Sequence, residues 1–503
     1  MAIGSIGSTP SPMVQSLVDL RSQLNDLQTQ LGTGKKSTTY SGLGVDAGLV
    51  VGLRGQLSAI SGYSDTITNV GTRIDLENSV LGRISDLGSA VKDAQADPFQ
   101  LNSSGQTIGQ QSAASQLDEA LGLLNTQDGN RYLFSGRATD TPATDTTDHI
   151  LNGDGAKAGF KQVLSERNQA DLGADGLGRL VIPAASGSQV SISEDAAGSP
   201  FGFKLAGVNS TLTGATVTGP TGSPAGITVN LAANPNPGDT ISFSFNLPDG
   251  TSEKIALTAT TSSPAAAGQF TIGADPTATA ANLQSALTSS VSTLAQTSLS
   301  AASSVAAAND FFNADGGQPP MRVNGPPFDT ATSLVAGTSA NTVSWYTGET
   351  GTDPARGTAV AQVDDTLSVS YGVRGNEQAI RSTIASMAVF ASTTFSASDP
   401  NASARYAALT QRLGTSLDNP PGQPTIQDIQ AQLADAQTTM QAASDRQTQK
   451  QSTLQGMLDG VEGVSQEQVA AQILALQTQF QASLQTTAML YQMSILNYLP
   501  AGA

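Results

Sequence analysis

The sequence predicts an α+β protein: an elongated antiparallel helical coiled-coil domain formed by the N- and C-terminal regions, with a β-rich central lobe inserted between them. Three observations predict it. Heptad stripes are concentrated at the two extremities of the 503 residues, the composition between them shifts to Thr, Ser, Gly, Pro and Asp with short alternating segments, and helical periodicity returns after Asn376. The expected regions are 1–139 (helical), 140–372 (surface-exposed, β-rich, with a short helical part) and 373–503 (helical).

Taken in order, residues 1–12 are Gly, Ser and Pro rich and are expected to be disordered alone. Met13, Leu17, Leu20, Leu24, Leu27 and Leu31 then follow at spacings of 4, 3, 4, 3 and 4, the seam of a coiled-coil helix. Gly32 and Gly34 end it, and a Gly-rich connection over 40–48 leads to a second helix with Ile67, Val70, Ile74, Leu81, Ile84 and Val91 on one face. A third helical piece over 113–125 precedes Arg131-Tyr-Leu-Phe-Ser-Gly136. In the insert, Ile227/Val229/Leu231, Ile241/Phe243/Phe245, Ile255/Leu257 and Leu367/Val369/Tyr371 alternate with polar residues, as half-buried strands do. Leu247-Pro-Asp-Gly250 reads as a turn, because Pro fixes φ and Gly supplies the left-handed position. The Ala/Ser-rich stretch 277–313 is expected to be helical in part.

After Asn376, Ile380, Ile384, Met387 and Ala391 share a helical face. Thr425-Ile-Gln-Asp428 looks like a helix start, followed by Ile426, Ile429, Leu433, Ala436, Met440 and Ala443. Gly460 to Val464 breaks that helix. Ser465-Gln-Glu-Gln468 opens the last one, which carries Val469, Ile473, Leu476 and Phe480 and, after a four-residue stutter, Leu484, Ala488, Tyr491, Ile495 and Tyr498. The first stripe offers six seam residues at about 2 kcal/mol each. Ordering nineteen residues costs about 1–2 kcal/mol apiece, so the helix needs a partner, and the C-terminal stripe matches it.

Lys and Arg number 23 against 41 Asp and Glu, a net charge of −18 that disfavours nucleic acid and anionic membrane surfaces as partners. No cysteine is present, which excludes disulfides and thiolate sites. The first twenty residues lack Lys, Arg and an apolar run, so neither a secretory signal peptide nor an N-terminal anchor is expected; no stretch approaches about 18 consecutive apolar residues, and no membrane partner is expected. The 36 residues after Glu467 carry no charge yet are rich in Gln, Ser and Thr, as expected of a helix that meets neighbours on several sides.

Catalytic chemistry is thinly represented. The single histidine, His149, is expected to be a solvated residue of an acidic loop, and one His without Cys does not build a typical zinc site. Gly42, Gly44 and Gly48 have the wrong spacing for a dinucleotide loop, and neither a phosphate-binding loop nor a nucleophile elbow occurs. Asp364-Asp365 and Asp145/Asp148 are expected to be solvated, and Asn152-Gly-Asp-Gly155 lacks a calcium loop's downstream Glu. The expectation is a non-enzyme without cofactor or metal.

Several segments together resemble the bacterial flagellin and hook-associated protein 3 family. The N-terminal seam with Leu31-Gly-Thr-Gly-Lys35 resembles the end of the first long helix and its turn; Arg131-Tyr-Leu-Phe-Ser-Gly136 is similar to the segment closing the N-terminal helical region. Tyr371-Gly-Val-x-x-Asn-Glu377 looks like the return into the helices, and 488–499 occupies the place of the C-terminal polymerisation helix. The resemblance covers about 140 residues at the start and 130 at the end. It implies an extracellular structural subunit of the flagellum, exported through a type III channel without signal cleavage, with itself, hook-associated proteins, flagellin and an export chaperone as partners. Gln30-Leu-Gly-Thr-Gly34 and Ser494-Ile-Leu-Asn-Tyr-Leu499 depart from filament flagellins and point to the hook–filament junction type, with filament flagellin as the alternative. The expected assembly contacts are Met13, Leu17, Leu20, Leu24, Leu27 and Leu31 with Ile473, Leu476, Phe480, Leu484, Tyr491 and Ile495. A second class of function, a secreted adhesin or glycan-binding protein, would use the lobe around Trp345 and Tyr346.

Overall fold

The structure is a computed structural model that describes residues 12–313, 317–418 and 420–496; the side chains of Met13, Tyr491 and 493–496 lie outside the described residues, as do 1–11 and Tyr498. Helix α1 (Pro12–Thr33) stops where Gly34 takes a φ of +68° and donates its N–H to the Gln30 carbonyl at 2.8 Å, a left-handed stop that a side chain would resist. A 3-10 turn over Tyr40–Asp46 leads into α2 (Ala47–Ala94), which begins well ahead of the expected face. Helix α3 (Ile108–Leu124) opens on a reciprocal capping box between Thr107 and Gln110. Then come the strands β1 (Gln127–Asp128) and β2 (Arg131–Tyr132) and two helices the periodicity did not announce, α4 (Thr147–Asn152) and α5 (Phe160–Leu172).

Eight strands follow: β3 (Leu180–Val181), β4 (Gln189–Glu194), β5 (Lys204–Ser210), β6 (Ala215–Thr221), β7 (Gly226–Leu231), β8 (Thr240–Asn246), β9 (Ser252–Thr260) and β10 (Gln269–Thr271). Strands β7, β8 and β9 occupy the expected alternating segments, and the β8–β9 turn closes with the Gly250 N–H on the Leu247 carbonyl at 3.0 Å, Gly250 at φ +83°. The Ala/Ser-rich stretch is helical over most of its length: α6 (Pro276–Leu294) passes through a π turn (Ala295–Leu299) into α7 (Ser300–Phe311). Small hairpins β11 (Met321–Val323) with β12 (Leu334–Ala336) and β13 (Val360–Gln362) with β14 (Ser368–Ser370) precede α8 (Gln378–Ser392), the unannounced α9 (Ala402–Leu417), α10 (Ile426–Glu462) and α11 (Gln466–Leu496). Helix α10 starts on the expected cap, Thr425 and Asp428 exchanging hydrogen bonds of 2.8–3.1 Å.

The fold is α+β, with the long N-terminal helices packed antiparallel on the long C-terminal ones and β-sheets inserted between. The chain divides into two compact units that cut across the expected regions: 1–69, 362–368 and 438–503 form one, and 70–361 with 369–437 the other. In the first unit, Val50, Leu53 and Ile60 of α2 bury against Leu454 and Leu458 of α10, while α1 pairs with α11. The helical run Tyr40–Ala94 contains an 18-residue window of mean hydropathy 1.2, so by length and composition alone it is apolar enough to cross a membrane, which the count of consecutive apolar residues had not indicated. Residues 362–368, the hairpin tip that belongs to this unit, are held within it by the Val363 carbonyl, which accepts from the buried Gln447 amide, and by Asp365, which accepts from Tyr63 at 3.1 Å.

In the second unit, sheets ordered β10-β9-β8-β5 and β3-β4-β7-β6 bury one continuous core with α6, built on Val190, Ile192, Phe243, Phe245, Leu257 and Leu283. Pairing is antiparallel except between β10 and β9. An aromatic file, Phe160, Phe312, Trp345 and Tyr346, with ring centroids 5.3–5.7 Å apart, forms a second packing centre. The expected face of α8 is buried, as are Ile426, Ile429, Leu433 and Ala436 of α10.

Candidate assembly interface

Two turns are stapled together in the helical unit. Lys35 bridges Gly463 in antiparallel fashion, the Lys36 N–H donates to the Glu462 carbonyl at 2.7 Å, and the Val464 N–H donates to the Gly34 carbonyl at 3.1 Å. The Glu462 side chain is buried there and accepts from Arg54 at 2.7 and 2.9 Å, with Lys35 at 3.3 Å. Burial pushes that carboxyl up, but the hydrogen bonds from Arg54 and Lys35 outweigh it and hold Glu462 below the usual range. The α1–α11 pair starts from this staple.

Along the pair, Leu20 and Ile473 are buried, while Leu17, Leu24, Leu27, Leu31, Leu476 and Phe480 are half-buried. Leu27 and Leu476 lie in one groove of about 500 Å³, flanked by Gln23, Gln30, Gln472 and Gln479. The expected stutter after Phe480 is absent. Ser483 and Thr487 are the half-buried residues that continue the 4-3 spacing, whereas Leu484 is 45% exposed and Ala488 is exposed too. Past Phe480, Leu484 and Ala488 fall off that spacing, whereas Leu490 continues it and is nonetheless exposed; spacing alone does not tell which of these positions the partner helix covers. The side chains of Met13, Tyr491 and Ile495 lie outside the described residues.

Exposed apolar side chains are not confined to Leu484. Val14, Val18, Leu474, Met489 and Leu490 are exposed along with Leu484, and at and just after the 3-10 turn Tyr40, Val45, Leu49 and Val51 are exposed, Val45 at 99%. Of fifteen exposed large apolar side chains among the described residues, eleven fall in this unit, although it is the smaller of the two. Its sequence holds six Lys/Arg and ten Asp/Glu, a net of −4, which leaves −14 on the other unit. This unit thus combines exposed apolar side chains with many uncharged amides and little net charge.

The two segments that bracket the insert, 131–136 and 371–377, meet in the second unit. The Gly375 N–H donates to the Phe134 carbonyl at 2.8 Å, Ser135 bridges Arg374, and Tyr346 Oη donates to the Phe134 carbonyl at 3.0 Å. Gly136 sits at φ +63° with Glu349 and Arg374 pressed against the site a Cβ would fill, so this turn requires glycine. Trp345 and Tyr346 are buried, with Trp345 Nε1 donating to the Phe312 carbonyl at 3.1 Å, and neither ring offers a face on which a sugar could stack.

His149 lies on α4, not in a loop, with Nδ1 at 2.5 Å from Asp145. Asp148 accepts from Asn152, Asp154 accepts from the Ala156 and Lys157 N–H groups, and Asp364 and Asp365 face Arg446 and Lys450. Among the described residues no three His, Cys, Asp or Glu side chains converge to hold a metal. No family model, curated protein or solved structure matches the chain.

Proposed function

We propose that the chain is an extracellular structural subunit of the bacterial flagellum, of the hook-associated protein 3 type that joins hook to filament, exported through a type III channel and assembling through its terminal helices. The observation that supports this most directly is the concentration of exposed apolar side chains on the nearly neutral helical unit built from both chain ends. Burying five or six of them supplies about 10 kcal/mol, which only matches the roughly 4–15 kcal/mol that association costs. A contact with one sister copy is therefore marginal. A subunit gripped on several sides is stable, so assembly proceeds at a growing end and not in dilute solution. The partners in this reading are sister copies, other hook-associated proteins and flagellin, with an export chaperone before secretion, and the role is non-catalytic.

Leu484→Asp tests the reading without touching the intramolecular seam. The variant is expected to keep the helicity of the wild-type monomer and to fail to enter flagella; incorporation at wild-type levels overturns the assignment of this face. Deleting 482–503 should likewise spare the β-rich unit and prevent incorporation. Immunogold labelling of intact flagella fixes the location. Label at the hook end supports the junction role, label along the filament moves the assignment to filament flagellin, and absence from flagella defeats both.

A further inference from the structure

We propose that Glu77 is a proton-operated latch at the root of the insert: neutral, it leaves two guanidiniums free to hold the insert's connections, and ionised, it competes for them and loosens the root. Glu77 lies on α2 in the second unit, 2% exposed, with Oε2 buried and lacking a hydrogen-bond partner. A cavity of about 20 Å³ beside it is lined by Arg73, Leu133, Thr358 and Tyr371, enough for one water and no more.

The neighbouring charges are already committed. On the same helix, Arg73 donates through Nε to Asp128 at 2.7 Å and through Nη1 to Tyr371 at 3.3 Å. From the 3-10 turn over Ala355–Thr358, Arg356 grips both Glu377 oxygens at 2.6–2.7 Å and the Gly372 carbonyl at 2.6 Å. Arg131, at the rim of the cavity, is exposed, and the Arg374 guanidinium is turned to the carbonyls of Gly351 and Asp353. From α10, the residues that reach α2 nearest Glu77 are the uncharged Gln430 and Gln437, on Asn78 and Asp75. With Glu77 neutral, two guanidiniums serve two carboxylates, Asp128 and Glu377. With Glu77 ionised, three carboxylates share the same two cations beside a buried and unpartnered carboxylate oxygen, and each bond lost frees a connection of the insert.

Burial pushes the Glu77 carboxyl up to about 8; Arg356 opposes that rise, Glu377 adds to it and Arg73 opposes it. The folded chain thus holds a proton that the unfolded chain releases near pH 4.5, so stability falls as pH rises from there to about 8 and stays low above it.

The test is thermal unfolding of the full chain and of Glu77→Gln between about pH 6.5 and 9, above the range in which ordinary carboxyls titrate. The wild-type midpoint is expected to fall across this interval and the variant's to stay level, with amides of 371–377 opening faster in the wild type alone above about pH 8 by hydrogen exchange corrected for intrinsic rate. Parallel midpoint profiles, or no difference in opening, overturn the proposal. Should Glu77→Gln not fold, a carbon-13 titration of glutamate carboxyls in the wild-type protein decides: one glutamate with a midpoint above about 6.5 sustains the latch, and none overturns it.

Discussion

A single carboxylate, Glu462, joins the turn after α1 to the turn before α11. Its depressed pKa means that the stabilisation it contributes is complete above the ordinary glutamate value and is lost as pH falls through its lower folded value. Glu462→Gln is expected to cost about 1–2 kcal/mol, discounted because Arg54 and Lys35 are themselves half in solvent, and to raise hydrogen exchange in α1 and α11 before the rest of the chain. Asp310 behaves in the opposite sense. Burial pushes it up to about 6 against the pull of Arg167, so the second unit should lose stability as pH rises from about 4 to 6; Asp310→Asn should flatten that slope in a pH series of urea midpoints. Neither residue was legible in the sequence, since both derive their roles from residues hundreds or more than a hundred positions away, Arg54 for one and Arg167 for the other.

At the scale of elements, what periodicity can see it found. Helices α1, α8 and α10 and strands β7, β8 and β9 bury apolar residues at the spacing of their own geometry. Helix α5 escaped because half of its buried face is ionic: Glu166, Arg167 and Asp171 are buried through pairing with one another and with Arg322 and Asp310, and a hydrophobicity pattern cannot register charges that cancel. Helix α9 did carry a signal, Tyr406, Leu409 and Leu413, confined to two turns. The α11 seam keeps its 4-3 spacing through Phe480 to Ser483 and Thr487, and the leucine at 484, the more apolar neighbour, stands outside it. Ser483→Leu together with Thr487→Leu is expected to raise the stability of the α1–α11 pair by about 1 kcal/mol or more, read as slower amide exchange in both helices. Ile473→Asp should release the pair while leaving the β-rich unit folded, visible as lost helicity with an unchanged second unfolding transition.

For the whole molecule, the division of charge is as informative as the division of structure. With about four net negative charges on the unit that bears most of the exposed apolar side chains and about fourteen on the other, association driven by burial should persist or strengthen in sodium sulfate. A steep loss of assembly with added salt, followed by light scattering, would show that ion pairs hold the copies together. The α+β class and the pairing of the two chain ends were readable from the heptads, because an apolar stripe without a partner is not stable; the two-unit division was not, because α2 and α10 run unbroken through both. The pairing of α1 with α11 is anchored at one end by Glu462 and its neighbours, and at the other it relies on a serine and a threonine. Fraying is therefore expected to start at the tips, and under the proposed assembly role an arriving sister helix would contend first with the stretch least able to resist exchange.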